Sequence, residues 1–275
     1  MLNYNGKLVK KINLNQKNRA FKFGDGVFET IKIENGYAFF LEDHYSRIIQ
    51  AMKCLHFTIP RKFTFVFFKN QIFNCLISKK GSFRCRFTAF RKEGGYYCPS
   101  KKGFDFIIEH AKTKLIRRSL SLGLYTSNYK TKTELSNYKT INSLISVLSS
   151  IYAAENLYDD SLILNQNFNV IESSKSNLFI IKDNKIFTPP KSDGCVDGVV
   201  RKKLIKLLEN NCFFLKEKSL KKDDILLADE VFLTNSITPI QRVKSFQNKK
   251  YEFLKTKEII GIFKNEEFRL QKGKN

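Results

Sequence analysis

Turn residues at short intervals constrain this chain more than any other feature. Asn5-Gly6 separates Leu2–Tyr4 from Lys7–Val9, and Glu34-Asn35-Gly36 separates Val27–Ile33 from Tyr37–Leu41. Asn-Gly tolerates the positive φ angles of a tight hairpin, so each signal predicts two antiparallel strands in direct succession. Further runs with strand character lie at Phe83–Phe90, Phe104–Glu109, Ser161–Leu164, Val170–Glu172, Asn177–Lys182, Lys185–Thr188 and Val231–Leu233. Helical spacing occurs between them. After Glu42-Asp43, read as an N-cap, Tyr45, Ile48, Ile49, Met52 and Leu55 share one face. Ile141, Leu144, Ile145, Leu148, Ile151 and Tyr152 form a second stripe, and Val199–Glu209 follows Asp197-Gly198. Strands in hairpin order with helices between them predict an α+β fold rather than a doubly wound parallel sheet. A length of 275 residues predicts two domains. They are placed at 1–115 and 129–275, with a connection at 116–128 that carries Arg117-Arg118.

Composition narrows the function classes. A hydrophobic share of 42% excludes a disordered chain. No apolar run reaches the ~18 residues that span a bilayer; the richest, Phe63 to Ile77, is broken by Lys69, Asn70 and Gln71. The opening MLNYNGKLVKK has no apolar core, so no signal peptide is expected. The six Cys are scattered without a C-x-x-C pair, which predicts no metal site and free thiols in a reducing cytoplasm. Lys and Arg number 49 against 26 Asp and Glu, a net charge of +23, which raises a nucleic-acid-binding reading. The basic residues are dispersed as pairs and triplets such as Lys10-Lys11, Arg201-Lys202-Lys203 and Lys221-Lys222. Dispersed charge predicts a solvated surface, not a phosphate track.

Four features could carry chemistry. Lys139 stands just before the long helical stripe, and a lysine at the edge of a buried element can lose its proton and form a Schiff base. Asp197-Gly198-Val199-Val200-Arg201 opens a helix, whose first-turn N–H groups suit a phosphate. Thr234-Asn235-Ser236 ends a buried strand, a place where small polar residues meet ligands. Glu172 is a carboxylate among apolar neighbours, able to face a cationic ring nitrogen. Each also has an ordinary structural reading: an exposed lysine, a plain cap, a chain turn, a surface carboxylate. Together they describe a pyridoxal phosphate site.

In order, the motifs resemble the class IV aminotransferases, the fold-type IV pyridoxal phosphate enzymes. Phe23 to Thr30 is similar to F-G-D-G-x-[FY]-[ET]-[TVG], and Leu41 to Arg47 to L-x-x-H-x-x-R. Arg84 to Thr88 with Arg91 to Tyr96 resembles R-x-R-[FL]-T followed by R-G-x-G-G. Lys139 to Asn142 resembles K-x-x-N, Glu172 to Phe179 E-x-x-x-x-N-[LI]-F, Gly194 to Arg201 G-x-x-x-G-[IV]-x-R, and Glu230 to Ser236 E-[VM]-F-[LI]-x-[NT]-[SA]. The resemblance implies two α+β domains with the cofactor between them, as a homodimer. It implies Lys139 as the cofactor-bonding amine and acid/base, Glu172 on the pyridine nitrogen, and Arg47, Gly198, Val199, Val200 and Ser236 around the phosphate. Phe28, Thr30, Arg84, Arg86 and Asn235 become substrate candidates, with Arg91 and Lys92 as further cations near the carboxylates.

The departures lean away from the branched-chain aminotransferase branch. Ser143 stands where that branch commonly has Tyr, and Val200 where it often has Thr. Lys92-Glu93-Gly94-Gly95 alters the glycine loop. The pattern leans towards an aminodeoxychorismate lyase of folate synthesis, releasing 4-aminobenzoate and pyruvate. An amino-acid aminotransferase of the D-amino acid or branched-chain type is the alternative.

Overall fold

The computed structural model describes residues 1–76, 78, 80–113 and 119–273; Arg117-Arg118 lie outside the described residues. The chain divides into two compact units, Met1–Lys114 with Tyr138–Ser143, and Leu115–Asn137 with Leu144–Asn275.

The first unit contains β1 (Leu2–Tyr4), β2 (Lys7–Val9), α1 (Arg19–Phe23), β3 (Gly26–Glu34), β4 (Tyr37–Ala38), α2 (Leu41–Cys54), α3 (Phe65–Asn74), β5 (Ser82–Arg91) and β6 (Phe104–Lys112). Its strands form one antiparallel sheet in the order β2-β1-β6-β5-β3-β4. The alternation of strand side chains puts Val27, Glu29, Ile31 and Ile33 of β3 on the core face, with Phe28 and Thr30 on the other. The core beneath is phenylalanine-rich: Phe63, Phe68, Phe83, Phe87 and Phe106 are all buried. Two expectations change here. The return strand is only Tyr37–Ala38, and α2 starts at Leu41 behind Phe40, whose φ is 53°. Glu42 and Asp43 therefore lie in the first turn, where their charge favours the helix dipole, and not at the cap. The apolar stretch beginning at Phe63 supplies α3, started by Thr64, whose hydroxyl accepts from Phe67 N at 3.2 Å.

The second unit contains β7 (Leu120–Lys130), α4 (Leu144–Glu155), β8 (Asp160–Asn165), β9 (Val170–Ser173), β10 (Asn177–Lys182), β11 (Lys185–Thr188), α5 (Val199–Asn210), β12 (Leu215–Glu217), α6 (Lys222–Leu226), β13 (Glu230–Thr234), β14 (Gln241–Phe246), β15 (Lys249–Lys250) and α7 (Leu254–Lys272). Its sheet runs β12-β11-β10-β13-β14-β7-β8-β9, and β9 also pairs with β10, which closes the path on itself. β7 lies parallel to both β8 and β14, so this sheet is mixed. The expected connection at 116–128 is thus corrected: residues 120–128 belong to a central strand. Gly123 makes this possible, because a Cβ there would press on the ring of Tyr158.

The second helical stripe is also corrected. α4 begins at Leu144, so Ile141 is outside it, and Leu144, Leu148 and Ile151 face solvent with Val147. Its buried side is Ser149 and Ala153; the Ser149 and Ser161 hydroxyls lie 2.6 Å apart. Of the stripe, Ile145 packs against Ile163, Ile171 and Cys195.

Phe87 is fully buried and packs on Phe68 at 5.0 Å and Phe106 at 5.5 Å between ring centroids. Phe87→Ala is expected to destabilise the first unit by about 3–5 kcal/mol. Urea unfolding followed by tyrosine fluorescence would show it as a lower midpoint, and an unchanged midpoint would refute this account of the core.

Candidate active site

In the first unit, the Tyr138–Ser143 segment runs along the start of β3. Phe28 N donates to Lys139 O at 2.8 Å and Ile141 N to Gly26 O at 3.0 Å, with Val27 and Thr140 as bridge partners. Gly26 is required by this approach, since a Cβ would sit 2.7 Å from Ala89 O and against Ile141 Cδ1. The segment places Lys139 Nζ 4.7 Å from the centroid of the Phe28 ring. The Arg86 guanidinium lies 3.7 Å from the same centroid. Register aligns Phe28 with Thr88, Thr30 with Arg86, and Lys32 with Arg84. Phe28, Thr30, Arg84, Arg86 and Lys139 thus gather at one sheet face, opposite the phenylalanine core.

Arg86 is half-buried. Burial lowers its pKa. Among the described residues its one hydrogen bond runs from Nε to Thr88 Oγ1 at 3.3 Å, and no carboxylate is within ion-pair distance. Arg84 is exposed on the same strand. Arg91 is committed elsewhere: Nε holds Asp25 at 2.8 Å and Nη2 the Leu55 carbonyl at 2.5 Å.

Arg47 lies on the core side. Its Nε and Nη2 donate to Glu29 at 2.7 and 2.6 Å, and His44 Nδ1 sits 2.7 Å from Glu29 Oε2. All three are at most 4% exposed. Although burial opposes ionisation, the Arg47 and His44 contacts bring Glu29 down to about 2. Burial lowers His44, whose Nε2 has no partner among the described residues. Glu29 and His44 were not among the expected site residues. Their signal was the alternation of β3 and the one-turn spacing of His44 and Arg47 on α2, which put three charged groups on core faces.

In the second unit, three paired strands line up Glu172, Asn177 and Thr234. Asn177 of β10 is the register partner of both Glu172 on β9 and Thr234 on β13. Directly paired residues share a sheet face. The loop before α5 lies across this row: Val196 N donates to Glu172 Oε2 at 2.9 Å, and Asn177 Nδ2 donates to Val196 O at 2.7 Å. Glu172 Oε1 takes a second partner, Lys130 Nζ, at 2.6 Å. Cys195, next in the loop, has its thiol pushed up to about 12 by burial.

Gly198 is the N-cap of α5, with no side-chain cap, and a Cβ there would collide with Asn177 Oδ1. The side chains of Val199 and Val200 are buried while their backbone N–H groups open the helix. Arg201 is buried too, with Nη2 on Pro189 O at 2.8 Å and on Glu217 at 2.7 Å. Thr234 Oγ1 is buried with no partner among the described residues. Asn235 is engaged in a turn: its Oδ1 accepts from Ile237 N and Thr238 N, and its Nδ2 donates to Ser176 at 2.9 Å. Ser236, one residue on, is half-buried. Sequence reasoning did not single out Lys130, and it quoted Asn177 and Thr234 only within motifs; strand register gives them their place.

The family model described as amino-transferase class IV matches residues 26–246, and the chain is a member of that family. It is 27% identical over 252 residues to a D-alanine aminotransferase of Bacillus licheniformis, covering 88% of this chain and 87% of that protein. It is also 27% identical over 243 residues to an aminodeoxychorismate lyase of Vibrio harveyi, covering 84% and 88%. The fold matches the structure of a Brucella abortus aminotransferase bound to the cofactor PLP, with TM-score 0.86, 20% identity and coverage of 96% and 97%.

Glu29→Gln is expected to break the buried Glu29–Arg47 ion pair, at a cost of about 3–5 kcal/mol near neutral pH. A carboxylate held at about 2 stabilises the fold above its ordinary value of 4.5, and this contribution is lost as pH falls towards 2. The stability gap between wild type and Glu29→Gln should therefore narrow from pH 5 to pH 2 in urea titrations. A gap independent of pH would contradict the pairing.

Proposed function

We propose that the chain binds pyridoxal phosphate and acts as a 4-amino-4-deoxychorismate lyase, forming 4-aminobenzoate and pyruvate for folate synthesis. The cofactor reading is carried by the Glu172–Asn177–Thr234 row. It offers a carboxylate for a ring nitrogen and, beside the uncapped start of α5, a buried hydroxyl with no partner among the described residues. That chemistry fits a phosphorylated pyridine. Lys139 would hold the cofactor covalently and Glu172 would face the ring nitrogen. The Val199 and Val200 amides with Ser236 and Thr234 would take the phosphate. Arg47 would add a guanidinium whose Nε edge is already fixed by Glu29. When bound, the cofactor supplies an electron sink.

The residues of the chain do the remaining work. Lys139 Nζ takes the proton from the ring carbon beside the reacting nitrogen and delivers a proton to the methylene of the enolpyruvyl group, whose bond to the ring breaks so that it leaves as pyruvate. Arg86, half-buried and without an ion pair among the described residues, is suited to a substrate carboxylate. Arg84 adds a second cation on the same face, and Phe28 and Thr30 line it. Two cations suit a substrate with two carboxylates. Val200 and Ser143 support the lyase branch as departures from the branched-chain pattern. The 27% identity to a D-alanine aminotransferase supports a second reading, amino-group transfer at the same residues.

The homodimer is also part of this proposal. Leu144, Val147, Leu148 and Ile151 make an outward apolar stripe on α4, which has no Lys or Arg in a chain of net charge +23. Such a stripe suits a self-complementary contact between like-charged copies. The six cysteines are all unpaired, in keeping with a reducing, cytoplasmic setting.

Three experiments test these readings. Borohydride reduction of the pyridoxal phosphate-loaded protein should trap the cofactor on the peptide containing Lys139, and Lys139→Ala should lose both trapping and turnover. Pyruvate release from 4-amino-4-deoxychorismate supports the lyase; 2-oxoglutarate-dependent turnover of D- or L-amino acids without it supports the transferase. In sedimentation equilibrium, the wild type should exceed its 32.1 kDa chain mass. A Leu148→Lys, Ile151→Lys double variant should return to that mass, and a double variant that remains dimeric would exclude this stripe.

A further inference from the structure

We propose that Lys130 moderates Glu172, neutralising part of the charge that this carboxylate presents to a cationic ring nitrogen. The inference rests on the cofactor reading above. Lys130 Nζ lies 2.6 Å from Glu172 Oε1, and it also donates to Ser136 O at 3.1 Å. The Lys130 side chain is 21% exposed and that of Glu172 9%, so water screens the pair weakly. Both carboxylate oxygens are engaged, one by an ammonium and one by the Val196 N–H. A carboxylate has about four acceptor sites, so a third donor can still approach. What that donor meets is a pair of nearly zero net charge rather than a full negative charge. Attraction between charges falls with the net charge presented, and it matters most where burial keeps the local dielectric low.

The neighbouring groups leave this pairing undisturbed. Cys195 is the nearest thiol of the loop, and burial holds it up at about 12, so it stays neutral. Asp197 is occupied by Lys191 at 3.5 Å and Lys202 at 3.1 Å. Arg201 is occupied by Glu217 at 2.7 Å. Lys130 is therefore the cation in ion-pair contact with Glu172 among the described residues. It also ties the carboxylate to the 3-10 turn Glu134–Asn137, two residues before Lys139 in the chain. Hydrogen bonds and charges around a ring nitrogen tune a pyridine cofactor's electronics.

The test compares loaded proteins by visible absorbance across pH. Lys130→Met keeps the length and removes the charge; Lys130→Arg restores the charge; Glu172→Gln removes the negative partner. Lys130→Met should shift the pH midpoint of the visible band in the direction opposite to Glu172→Gln, and Lys130→Arg should return it to the wild-type value. Pyridoxal phosphate affinity of the cofactor-free protein, read by fluorescence quenching, should change by about 10-fold in Lys130→Met, the scale of outer-shell effects on ligating groups. Melting of the cofactor-free proteins checks that each variant folds, and Lys130→Gln replaces Met if that variant does not. No shift, or a shift in the same direction as Glu172→Gln, overturns the proposal: Lys130 would then only hold Glu172 in place. A wild type that takes up no pyridoxal phosphate would instead defeat the cofactor reading itself.

Discussion

The backbone of Val196 is held from both sides, and the polar features of the second unit are arranged around it. Its N–H goes to Glu172 and its carbonyl receives Asn177. A carboxylate and an amide buried on a sheet face need partners, and so does the backbone of an irregular loop. Here each meets the need of the other. Asn137 continues the arrangement, with its Nδ2 on Cys195 O at 2.7 Å and its carbonyl accepting from Asp197 N at 2.9 Å. Glycine at 198 follows as a requirement, because Asn177 Oδ1 occupies the space of its missing Cβ. The start of α5 is thereby set by Asn177, the direct register partner of both Glu172 and Thr234.

The first unit solves a similar problem with guanidinium groups. Asp25 accepts from Arg19 and Arg91, each at 2.8 Å, and Glu29 accepts from Arg47 and His44. An arginine has more donors than one carboxylate can satisfy, and the surplus goes to loop carbonyls. Arg19 reaches the carbonyls of Gly94, Gly95, Tyr96 and Tyr97. This explains the altered glycine loop. Gly94 and Gly95 have φ of 122° and 74°, and a Cβ on either would strike Ser100 or the Cys98 carbonyl. The two glycines that remain are the ones this geometry needs; Lys92 and Glu93 stand where the backbone makes no such demand.

Much of this was legible in the sequence, for reasons that are local. Asn5-Gly6 and Asn35-Gly36 mark hairpins because their positive φ is a property of two residues. Val199–Glu209 was readable as a helix from its own periodicity, and the helix runs to Asn210. What could not be read depends on non-local pairing. β7 has no turn signal of its own, and only its parallel neighbours β8 and β14 make Leu120–Lys130 a strand. α4 was visible as a helix, but its apolar stripe did not say which members are covered: Ile145 packs against Ile163, Ile171 and Cys195, while Leu144, Leu148 and Ile151 face solvent. Lys130 is a lysine among many until β7 and β9 bring it to Glu172. The family motifs named Glu172 and Lys139, and register supplied Asn177 and Thr234 as the sheet neighbours of Glu172.

The charge of +23 takes on a different meaning from this placement. Arg19, Lys32, Arg47, Arg91 and Arg201 are buried, and each has a carboxylate partner. Burying a cation without such a partner would cost far more than any surface pair returns. These five positions are therefore committed to the fold, whatever the remaining surface does. Arg86 is the contrast: lowered by burial, near an aromatic ring, and without an ion pair among the described residues. A half-desolvated cation in that state is stabilised by whatever anion reaches it. The sum of charges could not distinguish these cases. The distinction lies in which cations are already neutralised, and it separates Arg86 from Arg91 although both stand on the same strand.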